Sequence, residues 1–234
     1  MNSEMSLANY VIDFDSTIIE CESLDELAAI ALRGRADRAV ALEQLQDLTN
    51  LGMAGKLAFD ESLQKRLELF APTEAHIREV VAKLSNRITP SFWENRDWLR
   101  QNADRIYVIS GGFEECIIPV VQKLGLRADH VLANAFTLDG RRTATGHDKT
   151  RHLSKAGGKV MQVRALALRG PVIAIGDGYT DYEIKKSGEA DAFWYFAENI
   201  ERKSVMPHAT RVLYSFDEAV HSDRNLRPLA PLIK

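Results

Sequence analysis

The chain has 234 residues, 45% of them hydrophobic, enough for one large core or for a core with a small accessory domain. Thirty Lys and Arg stand against thirty-three Asp and Glu, a net charge of −3, so the clustered basic surface that meets nucleic acid is not expected. No apolar run reaches membrane-spanning length and Met1 to Ala8 hold no signal-peptide core, so a cytoplasmic protein without a membrane partner is expected.

Tyr10-Val11-Ile12 reads as a short buried strand, and it breaks into Asp13-Phe14-Asp15-Ser16-Thr17. Side chains alternate along an extended chain, so Asp13 and Asp15 tend to leave on one side. There they repel unless one takes up a proton or a cation sits between them. A solvated turn is the competing reading, since Asp and Ser favour turns. The two cysteines, Cys21 and Cys116, are too few for a disulfide framework and lack metal-type spacing. Glu22, alone, reads as a helix-start acid favoured by the dipole. Ser23-Leu24-Asp25-Glu26 has the form of a capping box, and Leu24, Leu27, Ala28 and Ala31 follow at helical spacing.

A second helix carries Leu42, Leu45 and Leu48 and is expected to end near residues 50–52, with residues 53–58 as a loop. A third carries Phe59, Leu63, Leu67 and Phe70; a fourth, capped by Thr73, carries Ile77, Val80, Val81 and Leu84. No strand is expected between residues 23 and 88, so a helical insertion follows the acidic strand directly. Arg66 falls three residues after Leu63 and four before Phe70, on the apolar stripe. Either its stem packs while its head reaches water, or its planar fork points into a pocket and suits a carboxylate.

Thr89-Pro90-Ser91 opens a further helix containing Phe92 and Leu99. Residues 105–109 form a strand halted by Ser110-Gly111-Gly112, where glycines permit a sharp turn that brings amides and a hydroxyl close to an anion. Residues 131–138, followed by Asp139-Gly140, read as a strand leading into a hairpin turn. Gly157-Gly158-Lys159 opens a helix whose entrance suits phosphate, with Lys149 and Lys155 as nearby rivals to Lys159. Residues 171–175 are the clearest strand and end in Gly176-Asp177-Gly178-Tyr179-Thr180-Asp181. Residues 192–196 and 210–214 supply two more. Strands separated by helices imply right-handed crossovers and a parallel sheet, whose ligand crevice lies at the strand carboxyl ends, where these clusters fall.

Several carboxylates, a hydroxyl beside glycines and a lysine, with no His or Cys among them, suit a hard cation such as Mg²⁺ and a phosphoryl group. No Gly-x-x-x-x-Gly-Lys loop is present, so an aspartate is the more plausible attacking group.

In order and spacing, Asp13-Phe14-Asp15-Ser16-Thr17, Ser110-Gly111, Lys159 and Gly176 to Asp181 resemble the four motifs of the haloacid-dehalogenase-like phosphatases. Within that superfamily the chain is similar to the phosphoserine phosphatases, through Glu22 and the segment from Met53 to Phe59, Ser62, Leu63 and Arg66. The resemblance implies a three-layer, Rossmann-like α/β core with a parallel sheet over residues 1–21 and 90–234, and a helical cap over residues 22–89. It implies a Mg²⁺-dependent phosphomonoester hydrolase of serine biosynthesis acting on phosphoserine. Asp13 would be the nucleophile and Asp15 the acid and base. The metal would be held by Asp13, Asp177 and the backbone carbonyl of Asp15, with Asp181 in support. Ser110, Gly111 and Lys159 would hold the phosphoryl oxygens, Glu22 the substrate ammonium, Arg66 its carboxylate, and Met53 and Phe59 would supply apolar walls. Thr180 stands where many relatives carry Asn, so its phosphate-side contact differs. A phosphatase of another small ester, a transferase to a second hydroxyl, or a non-catalytic binder remain alternatives, and a homodimer is one open option for the assembly.

Overall fold

In a computed structural model, residues 7–53 and 56–226 are described, apart from the side chains of residues 50, 52, 53, 59 and 224–226. The chain starts with β1 (Asn9–Ile12) and then runs through four helices, α1 (Ser23–Ala31), α2 (Arg38–Met53), α3 (Phe59–Phe70) and α4 (Glu74–Leu84). It returns by α5 (Pro90–Glu94) and α6 (Arg96–Gln101) to β2 (Ile106–Phe113), then α7 (Glu114–Val121) and β3 (Val131–Asn134). A hairpin of β4 (Phe136–Leu138) and β5 (Ala144–His147) precedes α8 (Gly158–Leu166) and β6 (Val172–Gly176). Then come α9 (Tyr179–Lys186), β7 (Ala192–Phe196), β8 (Arg211–Leu213) and α10 (Phe216–Leu226).

Six of these strands form one parallel sheet in the order β3-β2-β1-β6-β7-β8. β1 and β6 lie in the middle, covered on both faces, and therefore read as continuous apolar runs in place of an alternating pattern. The pleat still divides their side chains. Tyr10, Ile12, Ile173, Ile175, Trp194 and Phe196 join one apolar cluster, while Val11, Val172, Ala174, Phe193 and Tyr195 join a second one. The parallel α/β architecture with helices inserted after β1 is as expected.

Local boundaries differ in instructive ways. β2 runs straight through Ser110-Gly111-Gly112 to Phe113, with an irregular step against β3 between Ile109 and Phe113, where a halt at Ser110 was expected. α2 continues past Gly52 to Met53. Ser23 is the first residue of α1 and not its cap, because the Ser23 amide donates to the Asp15 carboxylate instead (2.6 Å). In the β4–β5 turn the left-handed residue is Arg142 (φ 59°) rather than Gly140, and Asp139 Oδ1 accepts from the amides of Arg141 and Thr143 (both 2.9 Å). Thr73 caps α4 as expected, accepting from the His76 amide (3.3 Å).

The inserted helices meet the core along α4, which packs on α7, and also at two sets of backbone contacts. Where the chain crosses out and back, Ile19 and Ile88 form an isolated antiparallel bridge. Farther out, the β4–β5 hairpin grips α3 and α4: the Ala144 amide donates to Pro72 O (2.8 Å), the Glu74 amide to Arg142 O (3.0 Å) and Gln64 Nε2 to Thr145 O (3.0 Å), while Arg142 pairs with Glu74.

At the amino edge of the sheet, a buried ion pair joins Arg105 to Asp223 of α10 (2.7 Å), with Tyr10 Oη donating to Asp223 (3.1 Å) and Arg105 Nη1 donating to Ala8 O (2.7 Å). Removing one member of such a pair strands the other charge. Asp223→Ala should therefore cost about 3–5 kcal/mol in a urea unfolding titration. Because the pair lies at the end of β1 opposite Asp13, kcat/KM of the folded variant should stay within about twofold. A loss under about 1 kcal/mol would show that Arg105 finds other partners.

Candidate active site

Asp13 leaves the carboxyl end of β1, where its amide donates to Ile175 O of β6 (2.9 Å) and fixes it between two buried strands. The chain then makes one irregular turn. Ser16 adopts a left-handed conformation (φ 54°) unusual for a residue other than Gly, Asn or Asp, and such strain persists only where the surroundings over-determine it. Here the Ser16 amide donates to Cys21 O (3.1 Å), the Ile19 amide to Phe14 O (3.1 Å), and Ser16 Oγ to Glu22 (2.7 Å). Thr89 Oγ1 donates to Thr17 O (2.7 Å), and the Asn199 side-chain amide lies 3.2–3.3 Å from the carbonyls of Ser16, Thr17 and Ile19.

A cavity of about 470 Å³ opens on this turn. Asp13, Asp15, Ser110, Gly111, Lys159 and Thr180 line it from the sheet edge, and Glu22 and Arg66 from the inserted helices. Every site residue read from the sequence is thus on the cavity or beside it, except Met53 and Phe59, whose side chains lie outside the described residues.

Lys159, at the entrance of α8, bridges Asp13 Oδ1 (2.7 Å) and Asp181 Oδ1 (2.8 Å). Burial opposes its charge, but the two aspartates outweigh that and hold the ammonium above its usual range. Asp13 is pushed well up by burial; Lys159 opposes the shift, while Asp181 and Asp177 add to it. Burial raises Asp181 too, against Lys159, and its Oδ2 accepts from the Gly178 amide (3.1 Å). Gly176 has to be glycine, because a Cβ there would fall 2.3 Å from the Asp181 carboxyl carbon. Carboxylate oxygens of Asp13, Asp177 and Asp181 lie within 4.8 Å of one another, all buried. This group could hold a metal ion, and its all-oxygen donors fit a hard cation.

Asp15 sits apart from that trio. Burial and neighbouring Glu22 push its carboxyl up to about 7, against the Ser23 amide that donates to it. Ser110 Oγ is 3.5 Å from its other oxygen and itself accepts from the Gly112 amide (2.9 Å). A carboxyl titrating near neutrality can both give and take a proton. On the same cavity, Arg66 Nε is buried without a hydrogen-bond partner, and burial lowers the guanidinium pKa while Asp25 and Glu22 oppose that. Arg66 thus lines the cavity with its Nε shielded from water.

Residues 10–184 match the haloacid dehalogenase-like hydrolase family. The chain belongs to the haloacid dehalogenase-like hydrolases. The chloroplastic phosphoserine phosphatase of Arabidopsis thaliana is 33% identical over 90% of this chain and 70% of that protein. The human phosphoserine phosphatase is 31% identical over 88% of each. A crystal structure of a phosphoserine phosphohydrolase-like protein from Francisella tularensis superposes with a TM-score of 0.79 at 31% identity, covering 92% of this chain and 99% of that one.

Two residues of this haloacid dehalogenase-like site escape the sequence reading. Asn134 ends β3, fully buried, and its Nδ2 donates to Gly111 O (2.8 Å) and Leu153 O (3.3 Å), tying the Ser110-Gly111 step to the loop that leads to Lys159. Its signal was available: a polar residue closing an apolar strand at the carboxyl edge. Arg202, in the loop after β7, donates through Nε to Asp177 Oδ2 (2.7 Å) and also lines the cavity. It carried no local signal. Cys21 and Cys116 are free thiols, the first pushed up to about 11 by burial and the second higher still, so neither suits a nucleophile. No helix among the described residues is long and apolar enough to cross a membrane.

Proposed function

We propose that this hydrolase is a Mg²⁺-dependent phosphoserine phosphatase that releases serine and phosphate. The observation that carries the substrate is Arg66: a guanidinium with a buried, unpartnered Nε, on the same cavity as Asp13 and Glu22. An unsatisfied buried donor is costly, and a carboxylate that accepts from it removes the cost. Glu22 supplies the opposite charge for an ammonium. A phosphate ester bearing both groups is a phosphorylated amino acid.

Asp13 is the nucleophile and forms an aspartyl phosphate. Asp15 protonates the departing serine oxygen, then takes the proton of the water that cleaves the intermediate. Ser110 Oγ, the Gly111 amide and Lys159 hold the phosphoryl oxygens, with Thr180 beside them. Asp13, Asp177 and the Asp15 carbonyl would hold Mg²⁺, Asp181 in support; the ion supplies charge neutralisation on the phosphoryl group. Residues 22–89 act as a cap over a core of residues 1–21 and 90–234, excluding water around the ester.

The reading is tested by phosphate release with and without Mg²⁺ from L-phosphoserine, phosphothreonine, an aryl phosphate and phosphoglycolate. L-Phosphoserine should lead by at least about tenfold in kcat/KM, and EDTA should remove the activity. Equal rates on phosphoglycolate, which lacks the ammonium, would overturn the substrate assignment. Phosphate appearing on added homoserine in preference to water would make the enzyme a transferase.

A further inference from the structure

Asp177 is nearly enclosed, with both of its oxygens engaged. Thr17 Oγ1 lies 3.4 Å from Oδ1, and Arg202 Nε donates to Oδ2 at 2.7 Å. Lys159 pairs with the two other acids of the trio and Arg202 with the third. The backbone that delivers it is firmly fixed. The Arg202 amide donates to Tyr195 Oη (2.5 Å), which in turn donates to Ile200 O (2.9 Å), and Asn199 one turn earlier holds Thr89 Oγ1 (2.7 Å). The side chain itself is about a third exposed, on the cavity side, and its Nη2 lies 3.8 Å from Glu22. The guanidinium therefore already stands between Asp177 and Glu22.

We propose that Arg202 is a rival of the divalent cation for Asp177: guanidinium and metal compete for one carboxylate, and metal uptake turns Arg202 toward the Glu22 side of the cavity. The inference rests on the metal reading given above. Its physical basis is charge. A cation held by Asp177 would meet the guanidinium on the same carboxylate, in a buried setting where like charges repel far more than in water. Metal affinity is then set below what three buried aspartates would give, and each ion bound frees a guanidinium at the substrate end of the cavity. Arg202 is a positioning residue in this account, because it acts through Asp177.

The test reads metal binding directly, without turnover. Mn²⁺ is titrated into the substrate-free full chain and free Mn²⁺ is followed by electron paramagnetic resonance. Arg202→Gln, which keeps a donor and removes the charge, should tighten the Mn²⁺ Kd about tenfold. Arg202→Lys, which keeps the charge, should stay within about threefold of the parent. Arg202→Ala should move in the same direction as Arg202→Gln. A damaged fold weakens binding, so misfolding cannot imitate the expected result, and circular dichroism before titration confirms each variant is folded. An unchanged or weaker Kd in the folded neutral variants, or equal tightening in Arg202→Lys, overturns the rivalry while leaving the metal site standing. A parent chain that takes up no Mn²⁺ removes the metal reading and this inference together.

Discussion

Asp13→Asn should lower turnover of L-phosphoserine by roughly 10⁴-fold or more while leaving the protein folded, as expected for removal of a covalent nucleophile. The amide keeps the shape that fills the end of β1 and can still accept from the Phe14 amide, which donates to Asp13 Oδ1 at 2.8 Å. It cannot attack phosphorus. Lys159 loses one of its two carboxylate partners but keeps Asp181 (2.8 Å), so the variant should stay folded at the assay temperature. Acid-quenched protein incubated with ³²P-labelled substrate should carry label in the parent and none in the variant. Normal turnover, with deamidation excluded by mass spectrometry, would remove Asp13 as nucleophile. Asp15→Asn provides the contrast. It withdraws only proton transfer, so about 10²–10⁴-fold should be lost.

The second large effect belongs to Arg66. Arg66→Ala should raise KM for L-phosphoserine by about 10–100-fold, the scale of a charge-assisted hydrogen bond to a carboxylate in a shielded pocket. The same variant should change kcat/KM for a neutral aryl phosphate by less than about threefold, since that ester offers no partner to the guanidinium. A parallel loss on both esters would mean that Arg66 holds α3 together instead of reading the substrate. Because Arg66 carries a burial penalty with no bond at Nε to offset it, the variant should be at least as stable as the parent by thermal melting.

Much of this site was legible because its residues sit where local patterns break. β1 and β6 are uninterrupted apolar runs, and a run that ends in acid or glycine at the carboxyl edge of a parallel strand announces a ligand crevice. Arg66 was visible as a charge on an apolar stripe, although spacing gave its position and not the direction of its head. The left-handed Ser16 was invisible, since no glycine marks it and the bonds that hold it come from Cys21 and Glu22. Ser23 misled for a related reason: its amide already serves Asp15, so a sequence with the form of a capping box is used for something else. Arg202 depends on β7 lying beside β6, a pairing between distant segments that no short window contains.

The grip of the β4–β5 hairpin on α3 and α4 bears on who may enter. An insertion attached only where the chain crosses out and back could swing wide like a door on one hinge. This one is also latched at its far side, through Pro72, Glu74 and Gln64, to backbone of the hairpin. Parting α3 and α4 from the core therefore breaks those bonds as well as the packing of α4 on α7. The size of ester admitted then depends on whether these ties open together, which hydrogen exchange at the Glu74 and Ala144 amides reads.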